Sequence, residues 1–179
     1  LDGLAAAAEP TRRDERLAFW IDAYNVLAMD VVARHQPVAS IRDVGSLLRP
    51  VWKRDAGVVA GAVRTLDEIE HEILRPMGEP RIHMAIVCAS TSCPSLAREP
   101  FRPETLDAQL DAAARAFVAN RDKGVRPEPG GVRVSSIFQW FAEDFAATGG
   151  VPAFIRRHAD APLAAALDGQ AGGIVAKLV

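Results

Sequence analysis

The 179 residues carry 21 Lys and Arg against 23 Asp and Glu, a formal net charge of −2, with 49% hydrophobic and 25% charged residues. That balance excludes a disordered chain and supports a core buried without covalent staples, while the two cysteines exclude a disulfide scaffold. Near-neutral charge argues against nucleic-acid binding, and no uninterrupted apolar run of about 18 residues is present, so no transmembrane segment is expected.

Residues 1–13 read as an Ala-rich N-terminal extension, and residues 14–179 as a single globular domain. Leu1 opens the chain with no charged-then-apolar leader, so no targeting segment is expected within it. From Asp14 to His35 a 3.6-residue period puts Leu17, Trp20, Ile21, Tyr24, Leu27, Ala28, Val31 and Val32 on one face of a helix. A short helix is expected around Ile41 to Leu48. Val58-Val59-Ala60 and Ala62-Val63-Arg64 flank Gly61 as a small hairpin. Thr65 and Glu68 have capping-box spacing. The helix they open carries Leu66, Ile69, Ile73 and Leu74 inward and ends before Pro76.

The segment Arg81 to Cys88 is apolar on both faces and short, which predicts a buried strand. A helix from Glu104 to Asn120 follows, then a Pro/Gly-rich hairpin with Val132 and Val134 in its second arm. A further helix is expected from Ser136 to about Ala147, closed by Gly149-Gly150, and another near Val151 to His158. The fold class expected is α+β: a mostly helical single domain with a small mixed or antiparallel sheet, and by analogy a papain-like arrangement.

Cys93 and Pro94 carry the sharpest chemical signal. Proline is favoured at the first position of a helix, so a helix starting at Pro94 would make Cys93 its N-cap. The sulfur would then face unpaired amides and the positive end of the dipole, which favours thiolate. Against this, free cysteine is among the most buried residue types and Ser92 could cap instead. Cys88 reads as a core residue, although the two cysteines could bridge if their Cβ geometry allowed it.

Among four histidines, His35 and His158 read as helix-end residues. His71 lies about 130° from the centre of its helix's apolar stripe, and His83 faces away from Cys88 on the expected strand. Asp144 is out of place, because it projects between Trp140 and Ile137 at the centre of an apolar stripe. A carboxylate there must be paired, hydrogen-bonded or protonated. Asn25, at the edge of the first helix's buried face, needs a specific partner as well.

The stretches AFWIDAYNVLAM, TLDEIEHEILRP, PRIHMAIVCASTSCPSL, LDAQLDAAARAFV and VSSIFQWFAEDF together resemble the domain of unknown function family numbered 547, over residues 16 to 158. The chain departs from that family's aromatic-acidic C-terminal signature, ending in GGIVAKLV. The resemblance implies motif positions at Asn25, His71, His83, Cys93, Pro94 and Asp144. It also implies bacterial relatives that are often exported, for which a periplasmic location is the expectation, and relatives with glutaredoxin-like modules.

Three functions follow as alternatives. One is a thiol-dependent hydrolase or acyl/thiol transferase acting on a small molecule or peptide. There Cys93 is nucleophile, His83 or His71 base, Asp144 or Asn25 orienter, and amides at the Pro94 helix start the oxyanion site. The second is a non-catalytic interaction or scaffolding module. The third is a metal site drawn from His71, His83, Cys88 and Cys93, whose spacing matches no standard ligand pattern. No cofactor is expected.

Overall fold

A computed structural model of the chain describes residues 1–35, 50–87, 93–128 and 131–168, and the backbone of 176–178. Helix α1 (Asp2–Ala6) docks on the rest of the domain, because Leu4 and Ala5 accept backbone hydrogen bonds from Ala60 and Gly61. Helix α2 (Arg13–Arg34) follows the expected period, and Leu17, Trp20, Ile21, Tyr24, Leu27, Ala28 and Val31 are buried along it. The helix expected around Ile41 to Leu48 lies outside the described residues.

Strands β1 (Asp55–Val59) and β2 (Ala62–Thr65) pair antiparallel around Ala60-Gly61. Both turn residues have positive φ, 50° and 76°, the geometry that matches the right-handed twist of a tight hairpin. Thr65 caps α3 (Leu66–Glu68) as expected, its hydroxyl accepting from the Glu68 amide at 3.0 Å. The Glu68 carboxylate, however, pairs with Arg64 instead of reaching back to the cap.

Beyond α3 the helix widens into a π-helical stretch, Ile69–Leu74, then tightens into a 3₁₀ turn, Arg75–Met77. Pro76 therefore sits inside the helical run, and the stop comes at Gly78 with φ 69°.

The strand expected from Arg81 to Cys88 is replaced, over its described residues, by a 3₁₀ helix, Pro80–Met84. Pro80 presets the helical φ, the Glu79 carboxylate accepts from the Arg81 amide at 3.1 Å, and the amides of Ala85 and Ile86 bond back to Ile82. These local bonds satisfy the backbone with no strand partner. The burial implied by the apolar sequence is nevertheless present, since Ile82, His83, Met84, Ala85 and Ile86 are all buried.

Helix α4 (Leu106–Ala119), within the helix expected from Glu104 to Asn120, buries Leu106, Leu110, Ala114 and Phe117. The hairpin of β3 (Val125–Glu128) and β4 (Gly131–Val134) gains β5 (Ala176–Leu178) in parallel, giving a three-stranded mixed sheet. The helix expected from Ser136 to Ala147 is broken. Helix α5 (Ile137–Trp140) stops at Phe141 and gives way to a 3₁₀ helix, Ala142–Thr148. Trp140, expected in the apolar stripe, is 59% exposed, and Phe138 is buried beside Ile137 and Phe145 instead. Helices α6 (Gly150–His158) and α7 (Ala161–Asp168) complete the described chain.

The domain is thus α+β, mostly helical, with two small sheets. Its buried residues fall into two clusters, one around α2 and the first hairpin, the other around α4, the second sheet, Phe145 and α6. Ile82 belongs to the first and Met84 to the second, so His83 sits at the seam between them.

Candidate functional site

At this seam the backbone irregularities bring polar side chains together. The π-helical turn carries Glu70 and His71, the 3₁₀ turn after it carries Arg75, the 3₁₀ helix Pro80–Met84 carries His83, and the 3₁₀ helix after α5 carries Asp144. His83 Nε2 lies 2.7 Å from Asp144 Oδ2. Arg75 grips the same carboxylate with two bonds, Nε to Oδ2 at 2.7 Å and Nη2 to Oδ1 at 2.9 Å. Its Nη1 donates to His71 Nδ1 at 2.9 Å, and His71 Nε2 faces Asp67 at 3.8 Å. Phe141 stacks on the His83 ring with centroids 4.0 Å apart, and the Arg75 guanidinium lies over the same phenyl ring at 5.2 Å.

Chemistry decides the hydrogen positions. An ionised carboxylate can only accept, so Nε2 of His83 carries the hydrogen and Nδ1 keeps its lone pair. The His83 side chain is 1% exposed, and Nδ1 has no hydrogen-bond partner among the described residues. Burial depresses the ring to a pKa of about 4, although the Asp144 carboxylate pulls upward. Burial by itself would raise Asp144, but the Arg75 and His83 bonds outweigh it and hold the carboxyl below its usual range. At neutral pH the pair is therefore carboxylate and neutral imidazole.

Beneath Arg75, the Tyr24 hydroxyl lies 3.4 Å from Glu70 Oε2. Burial pushes Glu70 up to about 7, against the downward pull of the Tyr24 bond and Arg75. Burial also raises the Tyr24 phenol, and Glu70 raises it further.

His83, Asp144 and His71 thus converge as the sequence allowed, and His71 is anchored by Arg75 instead of being merely solvated. Asn25 is not an orienter of either histidine. It clamps the chain just after His83, its Nδ2 donating to Ala85 O at 2.9 Å and its Oδ1 accepting from the Val87 amide at 2.8 Å. The sequence missed Arg75, Glu70, Tyr24 and Phe141. Arg75 had a detectable signal, because it follows His71 by one helical turn in IEHEILRP.

Cys93 departs most from expectation. No helix starts at Pro94: residues 94–97 have no regular structure, and the next helical turn is Pro103–Thr105. Without repeating helical φ/ψ there is no aligned row of amides, so no dipole faces the sulfur. Cys93 is 3% exposed and disulfide-bonded; the chain's other cysteine is Cys88, outside the described residues. Among the described residues no group of three His, Cys, Asp or Glu side chains could hold a metal ion.

Fold and site define a small helix-rich α+β domain built around a buried, carboxylate-oriented histidine. The chain belongs to the family described as protein of unknown function, DUF547, which it matches over residues 8–118. No curated protein and no solved structure matches it. Asn25, His71, Arg75, His83 and Cys93 fall within the family match, whereas Asp144 lies beyond it. Among the described residues no helix is long and apolar enough to cross a membrane.

Proposed function

We propose that the domain is a thiol-dependent hydrolase or acyl/thiol transferase in which His83 is the general base and Asp144 positions it. The observation that carries this reading is the pairing of His83 Nε2 with Asp144 at 2.7 Å, which leaves the buried Nδ1 unpartnered among the described residues. A base of this kind needs a neutral ring, a fixed tautomer and a carboxylate that stabilises the imidazolium formed on proton uptake. Arg75 holds that carboxylate ionised, and Phe141 covers the ring face against water.

Cys93 is the nucleophile in this reading only after its disulfide is reduced. An incoming small-molecule thiolate attacks the sulfur bonded to Cys93, forming a mixed disulfide there and releasing Cys93, which takes a proton. The thiol then gives that proton to His83 as its sulfur bonds to the substrate carbonyl. Collapse of the adduct breaks the bond to the alcohol, amine or thiol leaving group, which takes the proton from His83. The oxidised form suits an oxidising compartment, in keeping with the exported bacterial relatives that the sequence resembles. The division of labour is that of papain-like enzymes, but the chain order differs. There the nucleophilic cysteine precedes its histidine, whereas here His83 precedes Cys93.

The test is the pH dependence of iodoacetamide alkylation at Cys93 after reduction by a phosphine. The reading expects an alkylation rate near neutral pH above the value that an unassisted thiol of ordinary pKa, about 8.5, would give, lowered by His83→Gln and by Asp144→Asn. An ordinary value unmoved by either variant overturns it. That outcome selects a second reading, an interaction module whose buried ion pairs fix the fold, which the disulfide at Cys93 and the near-complete burial of His83 favour.

A further inference from the structure

Between α4 and the irregular segment of residues 94–100 runs an open groove of about 450 Å³, a size typical of small-molecule sites. Its apolar lining includes Met84, Phe101, Ala113 and Phe117. The segment that forms its outer wall is tied at both ends. Lys123 Nζ donates to Cys93 O at 3.2 Å, while at the far end Gln109 Nε2 donates to Pro100 O at 2.9 Å and Asp22 accepts from the Phe101 amide at 3.1 Å. Between these anchors Ser95 to Glu99 make no hydrogen bond among the described residues. The cleft is therefore held open by its ends and not filled by its own wall.

The charged residues that line this cleft are Lys123, Arg98 and Glu99, two cations against one carboxylate. Lys123 and Arg98, which both line the groove, have no carboxylate within ion-pair distance among the described residues. An ammonium has three donors, and Lys123 commits one of them, to Cys93 O.

We propose that this groove binds a carboxylate bearing an apolar tail, with the tail over Met84 and Phe117 and the carboxylate on Lys123. Hydrocarbon burial supplies the affinity, and the unpaired cation selects the acid over an uncharged analogue of the same shape. The inference does not require any chemistry at His83, and it is tested by binding alone.

The probes are 4-phenylbutyrate, its alcohol 4-phenylbutanol, and an acetylated tripeptide ending in phenylalanine with a free carboxylate. Titration calorimetry and amide shift mapping on the full chain are the readouts. Acid is expected to bind tighter than alcohol, with shifts on α4 and residues 94–101. Lys123→Met weakens the acids about fivefold, as loss of a partly solvated ion pair would, and leaves the alcohol unchanged. Lys123→Arg restores the acids, which separates charge from any loss of the Cys93 anchor. Ala113→Trp blocks all three probes. Preference for the tripeptide assigns the site to chain termini, and preference for phenylbutyrate assigns it to free acids. Equal binding of acid and alcohol, shifts elsewhere on the protein, or no binding overturns the proposal.

Discussion

Glu70 and His83 make opposite contributions to the pH dependence of folding, and substituting Glu70 exposes both. His83 titrates near 4 when folded and near 6.5 when unfolded. Between those values the unfolded chain binds the extra proton, so stability falls as pH drops through the window. Glu70 titrates near 7 when folded against an ordinary 4.5. Between those values the folded chain holds the extra proton, so stability falls as pH rises.

Each displacement spans about 2.5 pH units, or about 3 kcal/mol at 1.36 kcal/mol per unit. In the overlap from about 4.5 to 6.5 the two largely cancel. Glu70→Gln keeps an acceptor for the Tyr24 hydroxyl and removes only the titration. Urea unfolding of both proteins across pH 4 to 8, read by circular dichroism, gives the difference curve in which every other group drops out. The variant should gain on the wild type by about 3 kcal/mol from pH 4.5 to 7, its own curve then rising with pH as His83 dictates. A difference that stays flat within about 1 kcal/mol would show that Glu70 is ionised in the fold, and the burial argument for it would be refuted.

Asn25→Ala strands the buried Ala85 carbonyl and Val87 amide, and should cost about 3 kcal/mol, at roughly 1–3 per orphaned group, measured by urea unfolding. Gly124→Ala would place a Cβ 1.7 Å from the Phe117 carbonyl oxygen. The backbone between α4 and β3 must shift, so a loss of about 3 kcal/mol, typical of overpacking, should appear in thermal unfolding, and an unchanged midpoint would contradict the packing. Thr65→Ala removes the α3 cap and should cost about 1 kcal/mol, with Ser restoring most of it. Asp144→Asn leaves Arg75 without its anionic partner. Because the carboxylate side chain is 19% exposed, the loss should lie near the lower end of the 3–5 kcal/mol range for broken buried pairs, about 3.

Sequence periodicity alone located α2, α4 and α6, both hairpins and the Thr65 cap. In each, hydrophobic spacing and local turn chemistry agree, so no distant contact has to overrule them. It also marked Asn25 and Asp144 as polar residues in apolar company, which requires partners whatever the fold, and named His83 as a candidate base. What it could not supply was the backbone geometry of the irregular stretches. The wheel that put Trp140 in the core and the period that made Arg81 to Cys88 a strand both assume one constant pitch. The chain instead switches among α, π and 3₁₀ turns at Ile69, Pro80 and Ala142, where long-range packing outweighs local preference. Those switches decide that Arg75 and His83 meet on one carboxylate 61 to 69 residues away in sequence. Likewise, no helix forms behind Pro94, because one favourable first residue cannot offset the cost of nucleating a turn. Composition and spacing name the groups that need partners, but only the folded path of the backbone chooses which partners they receive.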